Sequence, residues 1–561
     1  MTGYWNPKAS PWSRAGRIQA QTDLLGLRWS RLDFFSANSE LESDLIRPER
    51  SFKPCNIVVY RNVAVEPLIP IANVFFAFAG LKPTWQLAEY DDSLLLLPPP
   101  GVNQSEIAVV VFDRERFKGD DQSFLTWIQE RLETLSRRHG NSVVAVTFSS
   151  QETRNIRFMI GAHFIEDVFA RDGQEFTDPR LEKLTGSSLT AVAWMHIARN
   201  FVTRLAYRQI AGPRKLLVVD MDNTLHDGVI GEDGLGVRVS DAHKLLQDEL
   251  RQARSRGYLL ALLSKNDLGD VLRTLAEHPD YQLRPSDFLT IDASWDDKAV
   301  GMKRILDMAR VGSDSAIFLD DNPAELLGVG DAWPQIALVN AGDGPETTLE
   351  NLRFCPGYLV VAVDEAATSR QDDLKANALR EELLQVDSNA YIREAQPVLS
   401  IRLNHEEDLS RLVDLGGRSN QFNLLLKRWK LNDYLHSDCN FAALSLRDRF
   451  SDSGVIGGIA VLSNSDTHEA TVSELFLSCR VLGRHLETPL IMSALRRMLE
   501  ERLQNGVWIE WTVTERNQPA LSWLQTLPTE VDPSRPGRIF VSRNQIESLS
   551  QIPEGVEREY V

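Results

Sequence analysis

The sequence predicts an α/β protein built on parallel sheet, followed by a smaller α+β module. Two observations predict it. From Asn56 onward, apolar runs of strand length alternate with helical patterns, the order that produces βαβ units. Beyond Ala395 several strands follow one another closely around single helices, a different order that marks a second kind of unit. A third observation concerns chemistry: two of the strands end abruptly in paired acids, Asp220-Met221-Asp222 and Asp320-Asp321. In open α/β sheets the carboxyl ends of the strands are where ligands bind.

With 561 residues, 43% hydrophobic and 25% charged, the chain has an ordinary globular composition, with room for three or four domains of about 150 residues each. A formal charge of −18 argues against general binding to nucleic acid or to an anionic membrane, because affinity for phosphates is built from excess Lys and Arg. Lys427-Arg428-Trp429-Lys430 is the best local basic patch for an acidic partner; a solvated charge cluster is the alternative. Four separated cysteines, Cys55, Cys355, Cys439 and Cys479, form no CxxC pair, so neither a zinc site nor a disulfide framework is indicated and a reducing cytoplasm is expected. No run approaches the roughly 20 apolar residues of a membrane span, and an exported or inserted protein is not expected.

Residues 1–55 read as an arm that packs on something else, with a helix-like stretch near Ile18 to Trp29. Residues 56–185 form a small α/β domain: strands at Ile57–Tyr60, Ile107–Phe112 and Ser142–Phe148, with helices from Pro70 to Gly80 and from Ser123 to His139. A serine esterase would place Ser after the first strand. Arg61-Asn62 stands there instead, so this domain reads as a docking or structural unit, a degenerate SGNH-like domain.

Residues 186–370 carry the chemistry. Ser187 to Ala211 is amphipathic and reads as a helix buttressing the next sheet. The strand Leu216-Leu217-Val218-Val219 then delivers Asp220 and Asp222, which alternation places on one side, able to share a hard cation such as Mg²⁺. The glycines of His226 to Gly234 suit a tight hairpin flap. Ser240 can cap a helix to Arg256 that Gly257 terminates. The strand Leu259–Leu263 ends in Ser264-Lys265-Asn266, a hydroxyl, an ammonium and an amide able to hold phosphate oxygens, and Asp267 can cap the next helix. Lys298 opens a further helix, and Ala316–Leu319 ends in Asp320-Asp321-Asn322-Pro323.

This inventory suits phosphoryl transfer through an aspartyl phosphate. Asp220 would attack phosphorus, Asp222 would protonate the leaving oxygen and later activate water, and Asp320 would complete the Mg²⁺ shell. Ser264 and Lys298 would neutralise charge on the equatorial oxygens. The intervals Asp222–Ser264 and Ser264–Lys298 leave no room for a lid domain, so the site is expected to be open and suited to a substrate carried by a protein or passed between domains.

Taken together, Asp220-Met221-Asp222-Asn223-Thr224-Leu225, Gly228-Val229-Ile230-Gly231-Glu232-Asp233-Gly234, Leu263-Ser264-Lys265-Asn266, Lys298 and Phe318-Leu319-Asp320-Asp321-Asn322-Pro323 resemble the motifs of the haloacid-dehalogenase (HAD) superfamily. More narrowly they are similar to its FkbH-like branch. The similarity extends through Ser419-Asn420-Gln421-Phe422-Asn423 and Leu475-Phe476-Leu477-Ser478-Cys479-Arg480-Val481-Leu482-Gly483-Arg484. The resemblance implies a HAD Rossmann-like parallel sheet without a large cap. It also implies a bifunctional glyceryl transferase/phosphatase that takes 1,3-bisphosphoglycerate, releases phosphate and loads a glyceryl unit through a cysteine thioester onto an acyl carrier protein in polyketide-type biosynthesis.

Gln371 to Gln385 reads as a connecting helix within residues 371–394. In residues 395–561, strands at Val398–Leu403, Phe441–Leu446, Val455–Leu462, Ala470–Leu477 and Val507–Val513, with a helix at Glu487–Arg502, look like the GNAT acyltransferase fold. That fold cradles a coenzyme A pyrophosphate on an Arg-x-x-Gly-x-Gly/Ala turn. This chain has Arg480-Val481-Leu482-Gly483-Arg484-His485, where His485 replaces the small residue, and Trp523 stands near an expected Tyr acid; both departures speak against coenzyme A chemistry, while binding of a phosphopantetheine arm stays open. Cys479 is the candidate acyl acceptor, beside Arg480 and near a helix start, both of which lower a thiol pKa; a small apolar filler is the alternative. His226 and His485 are candidate bases or packing residues. The rival enzyme is a phosphohydrolase acting on a sugar or metabolite phosphate with a module that acylates an amine. A scaffold with a degenerate site is opposed by the four intact motif positions.

Overall fold

The computed structural model describes residues 14–44, 52–93, 107–139, 143–160, 163–359, 374, 376, 392, 394–419, 421–435, 439–464, 469–478, 481–502, 505–514, 517–528 and 537–561. The chain divides into two compact units, Met1–Asp364 and Glu365–Val561. The predicted connecting helix Gln371 to Gln385 lies, apart from Leu374 and Ala376, outside the described residues.

The first unit holds two sheets. One runs through β1 (Lys53–Arg61), β2 (Leu81–Tyr90), β3 (Ile107–Asp113), β4 (Val143–Phe148), β5 (Asn155–Ile160) and β6 (His163–Phe169), in the order β2-β1-β3-β4-β5-β6. The first three pairings are parallel and the last two antiparallel. Its central strand Ile107–Asp113 is buried throughout, as expected of parallel sheet covered on both faces. The predicted strands and helices of this region are present, and the parallel edge strand β2 and the β5–β6 hairpin join them.

The second sheet is entirely parallel: β7 (Leu216–Val219), β8 (Leu259–Ser264), β9 (Thr290–Ala293), β10 (Ala316–Asp320) and β11 (Ala337–Asn340), in the order β11-β10-β7-β8-β9. Each buried Leu or Val of β7 contributes about 1.5–3 kcal/mol relative to exposure, so the register that buries all four is strongly favoured. Ser240 caps the helix Asp241–Ser255 as predicted, and Gly257 takes φ +98°. Asp267 accepts from Gly269 N at the start of the helix Leu268–Glu277.

Two expectations need adjustment. The region Ser187 to Ala211 is helical from Ala191, but Asn200–Ala206 widens into π-type turns. There Asn200 Nδ2 donates to His196 O (3.0 Å) and Thr203 Oγ1 to Arg199 O (2.8 Å), side-chain bonds that compete with the regular ladder. The flap is not a plain hairpin: Asp227 and Arg238 pair as an isolated bridge around a one-turn helix, Ile230–Asp233.

The arm is two helices, Arg14–Leu25 and Arg31–Asp44. Gln21 lies against the edge of the second sheet, donating to Leu338 O (2.8 Å) and accepting from Asn340 N (2.8 Å).

The second unit is α+β. β12 (Val398–Leu403), β13 (Phe422–Asn423), β14 (Cys439–Arg447), β15 (Asp452–Asn464), β16 (Glu469–Leu477), β17 (Gly506–Glu510), β18 (Arg538–Ser542) and β19 (Glu557–Tyr560) form one mixed sheet with β12, β14, β15 and β16 antiparallel in sequence. The helix Glu487–Arg502 stands where predicted. β16 and β17 pair in parallel only at Thr471–Trp508 and Val472–Ile509. Past that point β13 lies along β16, and Leu424 bridges the two strands: Leu424 N donates to Leu475 O (3.1 Å) and Thr512 N to Leu424 O (2.8 Å).

Candidate active site

Strand register brings the two acid pairs together. β10 pairs with β7 in parallel, Leu319 opposite Val219, and Asp220 N donates to Leu319 O (2.9 Å), so Asp220 and Asp320 leave neighbouring strands side by side. Both are buried. Lys298, the first residue of the helix Lys298–Ala309, bridges them with Nζ 2.9 Å from Asp220 Oδ1 and 2.6 Å from Asp320 Oδ2. Asn322 N donates to Asp320 Oδ1 (2.9 Å), and Asn322 caps the following helix.

Asp222 is held apart from this cluster. Its Oδ1 meets His226 Nε2 (3.2 Å) and accepts from Ile230 N (3.1 Å), while Asn266 Nδ2 donates to Oδ2 (2.9 Å). Asn266 Nδ2 also reaches Ser264 Oγ (2.9 Å), so one amide ties the third strand end to the first. His226 is fully buried and its Nδ1 is hydrogen-bonded to the hydroxyl of Tyr281, itself buried. Asn223 adopts φ +52°, a left-handed conformation that Asn tolerates, and its Oδ1 accepts from Gly228 N (3.2 Å), which starts the flap. Lys265 turns to Glu325 (2.6 Å).

The electrostatics divide accordingly. Burial raises the pKa of Asp220 against the pull of Lys298. Burial and the charge of Asp220 push Asp320 up to about 7, again against Lys298. Asp321 is raised by burial and by Asp220. Burial would raise Asp222 too, but hydrogen bonds from His226, Asn266 and Ile230 N outweigh it and hold that carboxyl below its ordinary value. Tyr281 is raised well above its ordinary value by burial and by the Asp222 and Asp220 charges, which keeps the phenol protonated.

Asp220, Asp320 and Asp321 each offer one oxygen within 4.8 Å of the others. Three carboxylates face one ammonium, Lys298, so a divalent cation fits both the charge excess and the hard oxygen donors. Asp321 was not among the ligands expected from sequence. The adjacent acid in Asp320-Asp321 was its signal. Asp222, expected as a ligand, directs its carboxylate to His226, Asn266 and the flap, outside this group. Neither Tyr281 nor its link to His226 is visible as a motif.

Cys479 and Arg480 lie outside the described residues. His485 is exposed with φ +59°, and Trp523 donates from Nε1 to Thr488 Oγ1 (3.0 Å). Cys55, Cys355 and Cys439 are buried.

A scan against protein-family models finds no match, and a search of curated proteins finds none. Among solved structures, the chain is similar to the N-terminal part of the protein BF1531 from Bacteroides fragilis, containing a phosphatase domain complexed with Mg (TM-score 0.43, 16% identity, 58% of this chain and 98% of that one). It is also similar to the spermidine N-acetyltransferase SpeG from Vibrio cholerae (TM-score 0.21, 14% identity, 27% and 98%). A third is the aminoglycoside acetyltransferase AAC(6')-Ib in complex with coenzyme A (TM-score 0.22, 14% identity, 27% and 99%).

Proposed function

We propose that the chain is an Mg²⁺-dependent phosphatase of the HAD type coupled to acyl transfer, most specifically an FkbH-like glyceryl transferase/phosphatase of the cytoplasm. In this reading residues 186–370 are the phosphatase domain and residues 395–561 the acyl-transfer module. The observation that supports it best is the pairing of Asp220 and Asp320 through Lys298, with Asp222 held separately by Asn266 and His226. One carboxylate is set against a cation bridge, and another is oriented for proton transfer.

Asp220 attacks phosphorus and forms an aspartyl phosphate while the bond to the leaving oxygen breaks. The Asp222–His226 pair supplies a proton to that oxygen and then takes one from the attacking water, whose oxygen displaces Asp220 from phosphorus. Lys298 and Ser264 neutralise the equatorial oxygens, Asn266 fixes Ser264 against Asp222, and Lys265 stands beside the site with Glu325. Asp220, Asp320 and Asp321 would hold Mg²⁺, which supplies charge stabilisation to the transferring phosphoryl group. Asp220 would remove the 3-phosphate in this way. The Cys479 sulfur, aided by Arg480, would bond to the C1 acyl carbon as the C1–O bond breaks and the 1-phosphate leaves with the thiol proton. The glyceryl group would then pass to the phosphopantetheine thiol of an acyl carrier protein, whose proton returns to Cys479.

Incubation with 1,3-bisphosphoglycerate, Mg²⁺ and a phosphopantetheinylated carrier should add one glyceryl mass to the carrier and release phosphate. Asp220→Asn should lower phosphate release by at least about 10³-fold. Phosphate release with no mass gain on the carrier would reject the transfer half and leave a phosphohydrolase. Loading of the carrier by Cys479→Ala would reject the thiol role.

A further inference from the structure

The first unit holds a second charged cavity, away from the phosphatase site. Its volume is about 600 Å³, and five arginines line it against three glutamates. In a chain with a formal charge of −18, such a concentration of guanidinium groups runs against the overall composition. The helix Asp241–Ser255 runs from the flap back to the start of β8, so Glu249 and Arg256 lie toward the amino ends of the parallel strands. Asp220 and Asp320 leave the carboxyl ends, which sets the two sites at opposite ends of one sheet.

The widened helical segment Asn200–Ala206 helps to build this cavity. In a regular helix two residues five apart point about 140° away from each other. The wider π turns reduce that angle, and Arg199 and Arg204 both stand over the ring of Phe354, 3.5 and 5.8 Å from guanidinium carbon to ring centre. Arg199 is buried and donates from Nη1 to Leu25 O, but among the described residues its Nε has no hydrogen-bond partner. Buried polar groups are nearly always paired, so this donor asks for one. The glutamates do not use up the positive charge. Glu249 is already satisfied: its Oε2 accepts from Arg353 Nε (2.8 Å) and Nη2 (2.7 Å), and its Oε1 from the Tyr358 hydroxyl (2.8 Å). Glu346 is exposed to solvent. Glu350 Oε1 lies 3.5 Å from both Arg171 and Arg199, longer than a charge-assisted hydrogen bond. Burial lowers Arg199 to about 9 against the pull of Glu350, and lowers Arg204 to about 10. Burial together with the Arg199 and Arg171 charges holds His196 down to about 3.

We propose that this cavity binds a phosphate group, free or carried by a small metabolite, among Arg171, Arg199, Arg204 and Arg256. The planar guanidinium group matches phosphate oxygens two at a time, and a dianionic phosphate balances the excess of arginines over glutamates in the lining. The cavity has the size of an ordinary small-molecule pocket, and Leu349 and Phe354 give a carbon skeleton an apolar wall. A phosphate oxygen takes the place that Glu350 fills only loosely between Arg171 and Arg199. Because the cavity lies at the opposite end of the sheet from Asp220, its occupant is not the molecule that reacts there, and the site stands apart from the phosphatase reading.

Isothermal titration of the full chain with inorganic phosphate, and separately with glycerol 3-phosphate, tests this in EDTA, where the carboxylates of Asp220, Asp320 and Asp321 repel anions. Both probes should bind saturably at one site; tighter binding of glycerol 3-phosphate identifies an ester as the occupant, and equal affinities identify free phosphate. Arg171→Met and Arg256→Met, at exposed positions where folding is not at stake, should each weaken binding about 5-fold. Arg251→Met, on the adjoining helix but outside the cavity, removes the same charge and should leave affinity unchanged. Glu350→Gln should tighten binding several-fold, a gain that a purely structural ion pair does not produce. No saturable binding of either probe, or equal losses from Arg171→Met, Arg256→Met and Arg251→Met, overturns the assignment.

Discussion

The two carboxylates read first in the sequence, Asp220 and Asp222, live in opposite environments although one residue separates them. Asp220 is buried against Lys298, whereas Asp222 is surrounded by donors. His226 is the residue that most sharply defines the second environment, lying between Asp222 and Tyr281 with no exposure. His226→Phe removes the ring donor and leaves the Tyr281 hydroxyl buried without its partner. Phosphate release should fall about 10²-fold and stability by about 1–3 kcal/mol, whereas His226→Gln should recover part of both. Steady-state phosphate assays and thermal melts check this. Glu474 gives a pH signature of its own. Its folded pKa is raised from 4.5 to about 7, so its contribution to stability is fully present below 4.5 and lost as pH rises through 7. Glu474→Gln should therefore be more stable than wild type at pH 8, by up to about 3 kcal/mol, with the gap closing toward pH 4 in denaturant titrations. At this scale the sequence was informative wherever a motif names its own residue, as with Asp220, Ser264 and Lys298. It was silent on Tyr281 and Glu474, whose significance comes from partners far away in the chain.

At the scale of elements, parallel register does the positioning. Leu319 opposite Val219 and Leu262 opposite the same residue set three strand ends level, which is why the motif residues converge without any long loop. Their strand character was legible because buried parallel strands read as continuous apolar runs. β2 and β11 were less legible. β2 carries Lys82, Thr84, Gln86 and Glu89 among its apolar residues, and β11 has only four residues. Yet the turn after β11 matters to the site. A Cβ on Gly342 would stand 2.9 Å from the Asp321 carbonyl oxygen, a backbone atom with little freedom to move. Gly342→Val should displace Asp321 and raise the Mg²⁺ concentration for half-maximal phosphate release several-fold, with overpacking of about 1–3 kcal/mol visible in the melt. An unchanged Mg²⁺ requirement would remove Asp321 from the ligand set.

For the whole molecule, the expectation of α/β units followed by an α+β module rested on element order, and the three sheets have that order. What element order could not convey is how the N-terminal arm packs. Leu24 and Leu25 belong to the same buried cluster as the first sheet, while Gln21 closes the edge of the second. Deleting residues 1–27 should expose both the apolar cluster and the unpaired edge of β11. The expected result is aggregation on light scattering, and Gln21→Leu should show a milder form through loss of its two edge hydrogen bonds. A monodisperse truncated protein would refute this account of the arm.

The hydrogen bond from Asn340 N to Gln21 Oε1 spans a sequence separation of 319 residues. During synthesis at about 5–20 residues per second, Gln21 is complete roughly 15–60 s before its partner exists. The last strand of the first sheet ends at Phe169, about halfway to Asn340, so only over the later part of that interval can the first sheet assemble from residues already made, while the helix Arg14–Leu25 still lacks its second neighbour. The second sheet must finish its last strand before the edge is closed. The arm therefore completes its docking only after β11 has been made, and until then the side of that helix that meets the second sheet has no partner.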